Sequence, residues 1–270
     1  MGEGGDNKDI MRIEVIISAM NVETIDFYKK FNIESDCLII NQAGYNAYEE
    51  KTDGDYKIRM ITTDTKGSGT SRNIGLLNST ADIIVFADDD EVFEKGYAQK
   101  IKDGFISHPD VDFFVFKTII YQDGKEIVKV SEEKNLNFYN CLRYGSVHFV
   151  FKREAIERKN IHLSTYFGAG TENGSGEDSL FIMEAIKKGL KVRTNTDLLA
   201  RVYNDGSTWF RGFDEKYFYD KGKLSRALFP KAYRLYIEYF VNKKQKGLFD
   251  MIKKDQARKL MLDGANDFGG

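Results

Sequence analysis

A chain of 270 residues that is 41% hydrophobic and 13% aromatic has the apolar material for one large domain, with or without an appendage, and is excluded from intrinsic disorder. Its formal net charge of −2 argues against nucleic acid as the main partner. No apolar run approaches the ~20 residues that a bilayer-spanning helix needs.

Met1 to Asp9 are polar and Gly-rich, unlike a signal peptide, so residues 1–10 are expected to form a flexible end. Ile13 to Ala19 reads as a first buried strand, and Asn21 can cap a helix over Val22 to Phe31. Asp36 to Asn41 and Tyr56 to Thr62 read as the next two strands. The stretch Lys66-Gly67-Ser68-Gly69-Thr70-Ser71 leads into a helix from about Ser71 to Asn78. An apolar run then ends in Val85-Phe86-Ala87 and is followed by Asp88-Asp89-Asp90-Glu91, a strand buried on both faces with acids at its carboxyl end. A helix over Glu94 to Ser107 stops before Pro109. This strand–helix alternation predicts a mostly parallel sheet covered by helices.

The second half changes character. Val111 to Tyr121 and Lys125 to Val130 flank Gln122-Asp123-Gly124, a hairpin signal. Val147 to Phe151 reads as a strand, and Tyr166 to Gly176 is too Gly-rich to be regular. Glu177 to Lys188 has helical spacing, with Gly189 suited to the position after its end. Lys191 to Thr194 and Leu198 to Tyr203 read as two short strands. From Leu224 onward the pattern is helical, with Leu228, Ala232, Leu235 and Tyr239 expected on one face. The organisation expected is a main domain over 11–220 and a basic helical extension over 221–270. Between Lys221 and Lys259 stand twelve Lys/Arg against three Asp/Glu, which suggests an anionic surface nearby, such as a membrane. Two widely spaced cysteines, Cys37 and Cys141, fit a reducing compartment, and a cytoplasmic location is expected.

The acids at Asp88 to Asp90 carry the chemical signal. Adjacent carboxylates repel by roughly 4 kcal/mol per pair at about 4 Å and an effective dielectric near 20. A divalent cation removes that cost, and Asp oxygens suit Mg²⁺ or Mn²⁺. Asp88-x-Asp90 is therefore a candidate metal–diphosphate site; a solvated acidic turn is the alternative. Gly67 to Asn73 enters a helix and offers N–H groups to an anion, with Arg72 able to fork onto a phosphate or carboxylate. Glu177-Asp178 opens a helix, where acids complement the dipole but can also serve as a general base. Asn204 to Arg211 is either a plain loop or a flap that closes on substrate, with Trp209 to stack on a sugar and Arg211 to neutralise a phosphate. His108, His148 and His162 lack metal-ligand spacing. The first turn, Ser18-Ala19-Met20-Asn21, is not a Rossmann glycine fingerprint, and no P-loop is present.

In this order and spacing, over roughly residues 11 to 210, these features resemble the family 2 inverting glycosyltransferases with the GT-A fold. The residues that carry the resemblance are the opening Val-Ile-Ile strand, Ile39-Ile40-Asn41-Gln42, Gly67-x-Gly69-x-Ser71-Arg72-Asn73-x-Gly75, Val85-Phe86-Ala87-Asp88-Asp89-Asp90 and Gly176-Glu177-Asp178. The resemblance implies an α/β, Rossmann-like, three-layer fold with a mixed central sheet and a C-terminal helical extension. It implies a general base at Asp178 with Glu177 beside it. It implies Mn²⁺ or Mg²⁺ held by Asp88 and Asp90, with Asp205 or Asn204 where some members supply a His. Arg72, Asn73, Asp88 and Asp89 would lie against the nucleotide. Asn21 and Asn41 would do so too, although Ser18-Ala19-Met20-Asn21 stands where the family often has Pro-x-Tyr/Phe-Asn, and Asn41-Gln42 where it often has an acid. The implied reaction moves a sugar from a nucleotide sugar, UDP-linked by expectation, to a hydroxyl of a saccharide or lipid-linked acceptor in surface polysaccharide synthesis. Tyr233, Tyr236, Tyr239 and Phe240 among Lys and Arg would give the tail a peripheral membrane contact, or else simply pack it on the core. A nucleotidyltransferase and a non-catalytic nucleotide-sugar-binding protein are the alternatives.

Overall fold

A computed structural model of the chain describes residues 11–204, 212–243 and 247–268. Its strands are β1 (Ile13–Met20), β2 (Asp36–Gln42), β3 (Ala47–Asp53), β4 (Tyr56–Thr63), β5 (Ile83–Asp88), β6 (Glu91–Phe93), β7 (Phe113–Gln122), β8 (Lys125–Val128), β9 (Phe149–Lys152) and β10 (Val192–Tyr203). Its helices are α1 (Ser68–Asn78), α2 (Tyr97–Ser107), α3 (Arg153–Arg158), α4 (Glu177–Lys187), α5 (Glu215–Leu228), α6 (Tyr233–Asn242) and α7 (Lys254–Phe268). One mixed sheet runs β3-β4-β2-β1-β5-β9-β7-β10-β6, with β8 paired to β7. Strands β4, β2, β1 and β5 are parallel, and β9 enters antiparallel between β5 and β7.

Alternation along each strand builds two cores. Ile16, Leu38, Ile84, Phe86, Phe113 and Phe149 pack on one face against Leu76 of α1 and Phe181 of α4. Their neighbours Val15, Ile17, Ile39, Val85, Phe114 and Val150 pack on the other against Tyr97, Ile101 and Phe105 of α2. With a strand period of two, both faces must be apolar, which is why these strands read as unbroken hydrophobic runs. The product is the three-layer α/β arrangement expected.

The sheet order reverses beside β1, with β2 on one side and β5 on the other, and such switch points open a crevice at the carboxyl ends of the strands. There Ser18 pairs with Asp88. From Asp88 the chain crosses the sheet edge to β6, where Glu91 pairs with Val202 of β10 and the Asp90 carbonyl accepts from Tyr203 N–H. The acids thus sit on a bridge between two strand ends.

Several elements differ from expectation. The segment after β1 forms a 3-10 helix over Ile25–Phe31 capped by Thr24, and Asn21 instead takes a left-handed conformation at φ +53°. Strand β3 was not expected, because its sequence AYEEKTD is polar and almost wholly exposed on the sheet edge. The two short strands expected at 191–203 are one strand with irregular register between Asn195 and Ala200. In the extension, Pro230 ends α5 and resets the helical phase. The expected face of Leu228, Ala232, Leu235 and Tyr239 is therefore not formed. Leu228 is buried, Leu235 and Tyr239 are exposed, and Tyr233, Ile237, Phe240 and Val241 turn inward instead. Those four join Phe218, Leu248, Ala257, Met261 and Ala265 in a third core. Helix α5 runs across residue 220.

Candidate active site

Arg72 is the centre of the site. It follows Ser71 in the first turns of α1, and Gly69 lets this helix lie against the Ser164 carbonyl, because a Cβ there would sit 2.0 Å from that oxygen. The Arg72 guanidinium is 3% exposed. It donates to Asp88 Oδ1 at 2.5 Å, to Glu177 Oε1 at 3.3 Å and to Asp178 Oδ1 at 3.4 Å. Burial works against its charge, but Asp88, Asp178 and Glu177 outweigh that and hold it cationic. One side chain on α1 thereby joins the tip of β5 to the start of α4.

The two acids that open α4 have different work. Glu177 is buried; it accepts from Ser68 Oγ at 2.6 Å and from Gly176 N–H at 3.1 Å as well as from Arg72. It fastens the glycine loop to α4. Asp178 is a quarter exposed, and Ser146 N–H donates to its Oδ2 at 3.0 Å. Burial first, then the neighbouring Glu177, push its carboxyl up to about 7, against the pull of Arg72.

At the strand tip, Asp88 is also held through its backbone, whose N–H donates to Glu91 Oε2 at 2.8 Å. Glu91 is buried, and burial followed by Asp88 raises its carboxyl well above the usual range. Burial and then Asp88 raise Asp90 to about 6, and its Oδ1 is buried with no hydrogen-bond partner. Asp89 is exposed; its carbonyl accepts from Lys30 Nζ at 2.7 Å, and partial loss of water around its carboxylate, then the charge of Asp88, raise its pKa.

These groups face one cavity of about 690 Å³, within the size range of small-molecule sites. Asp88, Asp89, Asp90, Arg72, Glu177 and Asp178 all line it, joined by Ser18, Met20, Gln42, Lys66, Tyr203 and Asn204. Three residues expected against the nucleotide do not line this cavity. Asn41 is wholly buried, and its amide is spent on the backbone of Val22, accepting at 2.8 Å and donating at 3.0 Å, so its neighbour Gln42 reaches the cavity instead. Asn73 is occupied in the same way by the backbone of Leu163, at 2.9 Å in both directions. Asn21 is exposed and does not line the cavity. Asp205, Trp209 and Arg211 lie outside the described residues. Lys66 and Gln42 went unassigned from sequence; the signal for Gln42 was the two-residue alternation along β2, which turns adjacent side chains to opposite faces.

With this geometry in place, the comparisons are specific. The sequence model of Glycosyl transferase family 2 matches residues 43–171, just under half of the chain. The matched span includes Arg72 and the acids of β5 and stops short of Glu177-Asp178. Among solved structures, S. aureus TarS 1–349 superposes with TM-score 0.57 at 16% identity, covering 96% of this chain and 72% of that one. The same fragment in complex with UDP-GlcNAc gives TM-score 0.58 at 15% identity over 96% and 73%. TarS in its longer form gives TM-score 0.56 at 15% identity over 95% of this chain and 43% of that one. No curated protein sequence matches the chain. The fold is GT-A, and with its family 2 segment the chain is a glycosyltransferase.

Proposed function

We propose that the chain transfers a sugar from a UDP-sugar to a hydroxyl of a saccharide or lipid-linked acceptor, with inversion and with the help of Mn²⁺ or Mg²⁺. The observation that carries this reading is Arg72, which ties Asp88 and Asp178 to one guanidinium across the floor of one cavity. The diphosphate end and the base end of a donor site are then held at a fixed separation.

Asp178 takes the proton of the attacking hydroxyl; Ser146 N–H fixes the plane of its carboxylate, and its raised pKa suits a base working near neutrality. Glu177 has a side chain only 9% exposed and is tied to Ser68 and Gly176, whereas Asp178 is 26% exposed, which makes Asp178 the carboxylate of that helix start able to meet an acceptor hydroxyl. Lys66 at the cavity wall supplies positive charge toward a phosphate. The residues at the strand tip suit a hard cation. Asp90 brings a buried, unpartnered oxygen and Asp88 keeps its second oxygen outside the Arg72 pair. Among the described residues Asp88 and Asp90 would be the protein ligands there, while Asp205 lies outside them. A cation so held would offset charge on the departing diphosphate. UDP as the nucleotide is supported by the TarS structures that hold UDP-GlcNAc and UDP.

A nucleotidyltransferase is less well supported, since Ser18, Ala19 and Met20 bring no cation to the cavity from the first loop. Among the described residues no helix is long and apolar enough to cross a membrane. Contact with the cytoplasmic face of a membrane would fall to exposed Leu235 and Tyr239 beside Arg234, and sedimentation with anionic vesicles, lost in L235D/Y239D, is its test. For the transfer itself, a panel of UDP-sugars with Mn²⁺ is expected to show slow hydrolysis of one donor. Calorimetry that detects no Mn²⁺-dependent uptake of UDP would overturn the reading.

A further inference from the structure

Asp178 stands on a wall between two cavities. Behind the donor cleft lies a second one of about 330 Å³, which shares Ala169, Glu177 and Asp178 with the first. Three cationic side chains from three separate elements converge on it: Lys129 just after β8, Arg143 at the end of the 3-10 turn Cys141–Arg143, and Lys221 of α5. Gly174, Ser175 and Gly176 bring the amino end of α4 to the same space.

Three cations line this cavity against two carboxylates, Glu177 and Asp178, both of which are already held by Arg72. Burial lowers the pKa of Lys129; Asp178 opposes that and Arg143 adds to it. Lys221 lies 5.5 Å from the centroid of the Phe240 ring; burial pulls its ammonium down to about 8, and Lys243 adds to that. The Arg143 guanidinium lies 5.5 Å from the centroid of the Tyr144 ring and is exposed at the rim. Partly buried cations without matched carboxylates cost free energy unless an anion arrives. Lys in particular meets phosphate as a point charge.

We propose that this second cavity receives the acceptor and that the acceptor carries a phosphate group close to the hydroxyl it presents to Asp178. The assignment rests on Asp178 being the base of the transfer proposed above. Phosphate fits better than carboxylate because the three cations approach from three elements. A tetrahedral group offers oxygens in several directions, whereas a carboxylate offers two in one plane. The positive rim also selects against neutral sugars, whose hydroxyls leave the cations unpaired.

Calorimetric titration of the full chain with glucose 6-phosphate, glucose and glucuronate tests this, with UDP and Mn²⁺ titrated separately to read the donor cleft. Glucose 6-phosphate is expected to bind about ten-fold or more tighter than either of the others, the size of one charge-assisted hydrogen bond. Arg143→Gln and Lys221→Met are each expected to lose about that factor. Arg143 is exposed, so its variant does not put folding at stake. Equal affinity for glucuronate overturns the phosphate assignment, and unchanged affinity in both variants overturns the site. Binding that survives both variants but is lost in Lys66→Gln would put the sugar phosphate in the donor cleft, and also overturns it. Loss of UDP uptake alone would count against the donor reading instead.

Discussion

Arg72 lies 2.5 Å from Asp88 while also reaching Asp178 at 3.4 Å, so a single buried cation balances acids from two distant stretches of the sequence. It does so from α1, a helix whose own sequence carries no other charged side chain. Removing it leaves Asp88, Glu177 and Asp178 facing one another without a cation between them. Arg72→Met is expected to destabilise the fold by about 3 kcal/mol, the low end for a broken buried pair, because Asp88 and Asp178 keep some solvent contact. The loss should shrink as pH falls through the raised pKa of Asp178, since protonation removes the repulsion. Urea denaturation at pH 5.5 and pH 8, compared with wild type, checks both statements; an equal loss at the two pH values would refute the charge argument.

Asp178 illustrates function held against stability. Its carboxyl is raised to about 7 by burial and by Glu177, so the folded state binds a proton more tightly than the unfolded chain. Between the ordinary carboxyl range and about 7, this group's contribution to stability therefore falls as pH rises. Asp178→Asn should be more stable than wild type above that window and lose the difference below it. Transfer should fall by about 10²–10⁴-fold, the usual worth of a general base. Thermal unfolding across pH, beside rates of transfer, gives the two readouts. A variant that is both active and no more stable at pH 8 would remove the base assignment.

The contrast between Arg72 and Asn73 shows what a sequence can and cannot disclose. The Gly-rich entrance to α1 and the acid-tipped strand were legible, because turn formers and apolar runs are local signals. Which residue of an adjacent pair faces the cavity was not. In α1 neighbouring side chains diverge by about 100°, so Arg72 enters the site and Asn73 turns to Leu163. On β2 the divergence is nearer 180°, which gives the cavity Gln42 and the interior Asn41. The parallel strands were readable from their double burial, whereas β3 is an exposed polar edge whose pairing with β4 leaves no apolar pattern. Pro230 falls inside the stretch read as helical from Leu224 onward, and the phase of α6 beyond it depends on which side of the helix the third core covers.

Asp90 offers a test of the strand tip that does not require turnover. Burial and Asp88 lift its carboxyl to about 6, and one oxygen is buried without a partner. Asp90→Asn removes the repulsion, so the protein without cation should gain stability at pH 8, while the Mn²⁺-dependent component of UDP binding disappears. Melting temperature with and without Mn²⁺ reads the first effect and calorimetry the second. Retention of Mn²⁺-dependent UDP binding would take Asp90 out of the ligand set.

The extension is joined through a close helix crossing that can be tested from both sides. A Cβ on Gly222 of α5 would lie 2.0 Å from the Met261 carbonyl oxygen of α7, and one on Gly264 would lie 2.1 Å from the Tyr219 carbonyl oxygen of α5. Each glycine thus seats itself on the other helix's backbone, which cannot yield as a side-chain end would. Gly222→Ala or Gly264→Ala is expected to force the helices apart at a cost of about 1–3 kcal/mol each, the usual range for overpacking. Since the same separation relieves both contacts, the double variant should cost clearly less than the sum of the two. Phe268 of α7 packs on Tyr166 and Phe167 with ring centroids 5.6 Å apart, and Lys221 precedes Gly222 at the second cavity. Displacing α7 should therefore weaken glucose 6-phosphate binding while UDP uptake, read from the cavity at the strand tips, changes little. Strict additivity in urea denaturation would show that the two glycines sit in independent environments and not in one shared crossing.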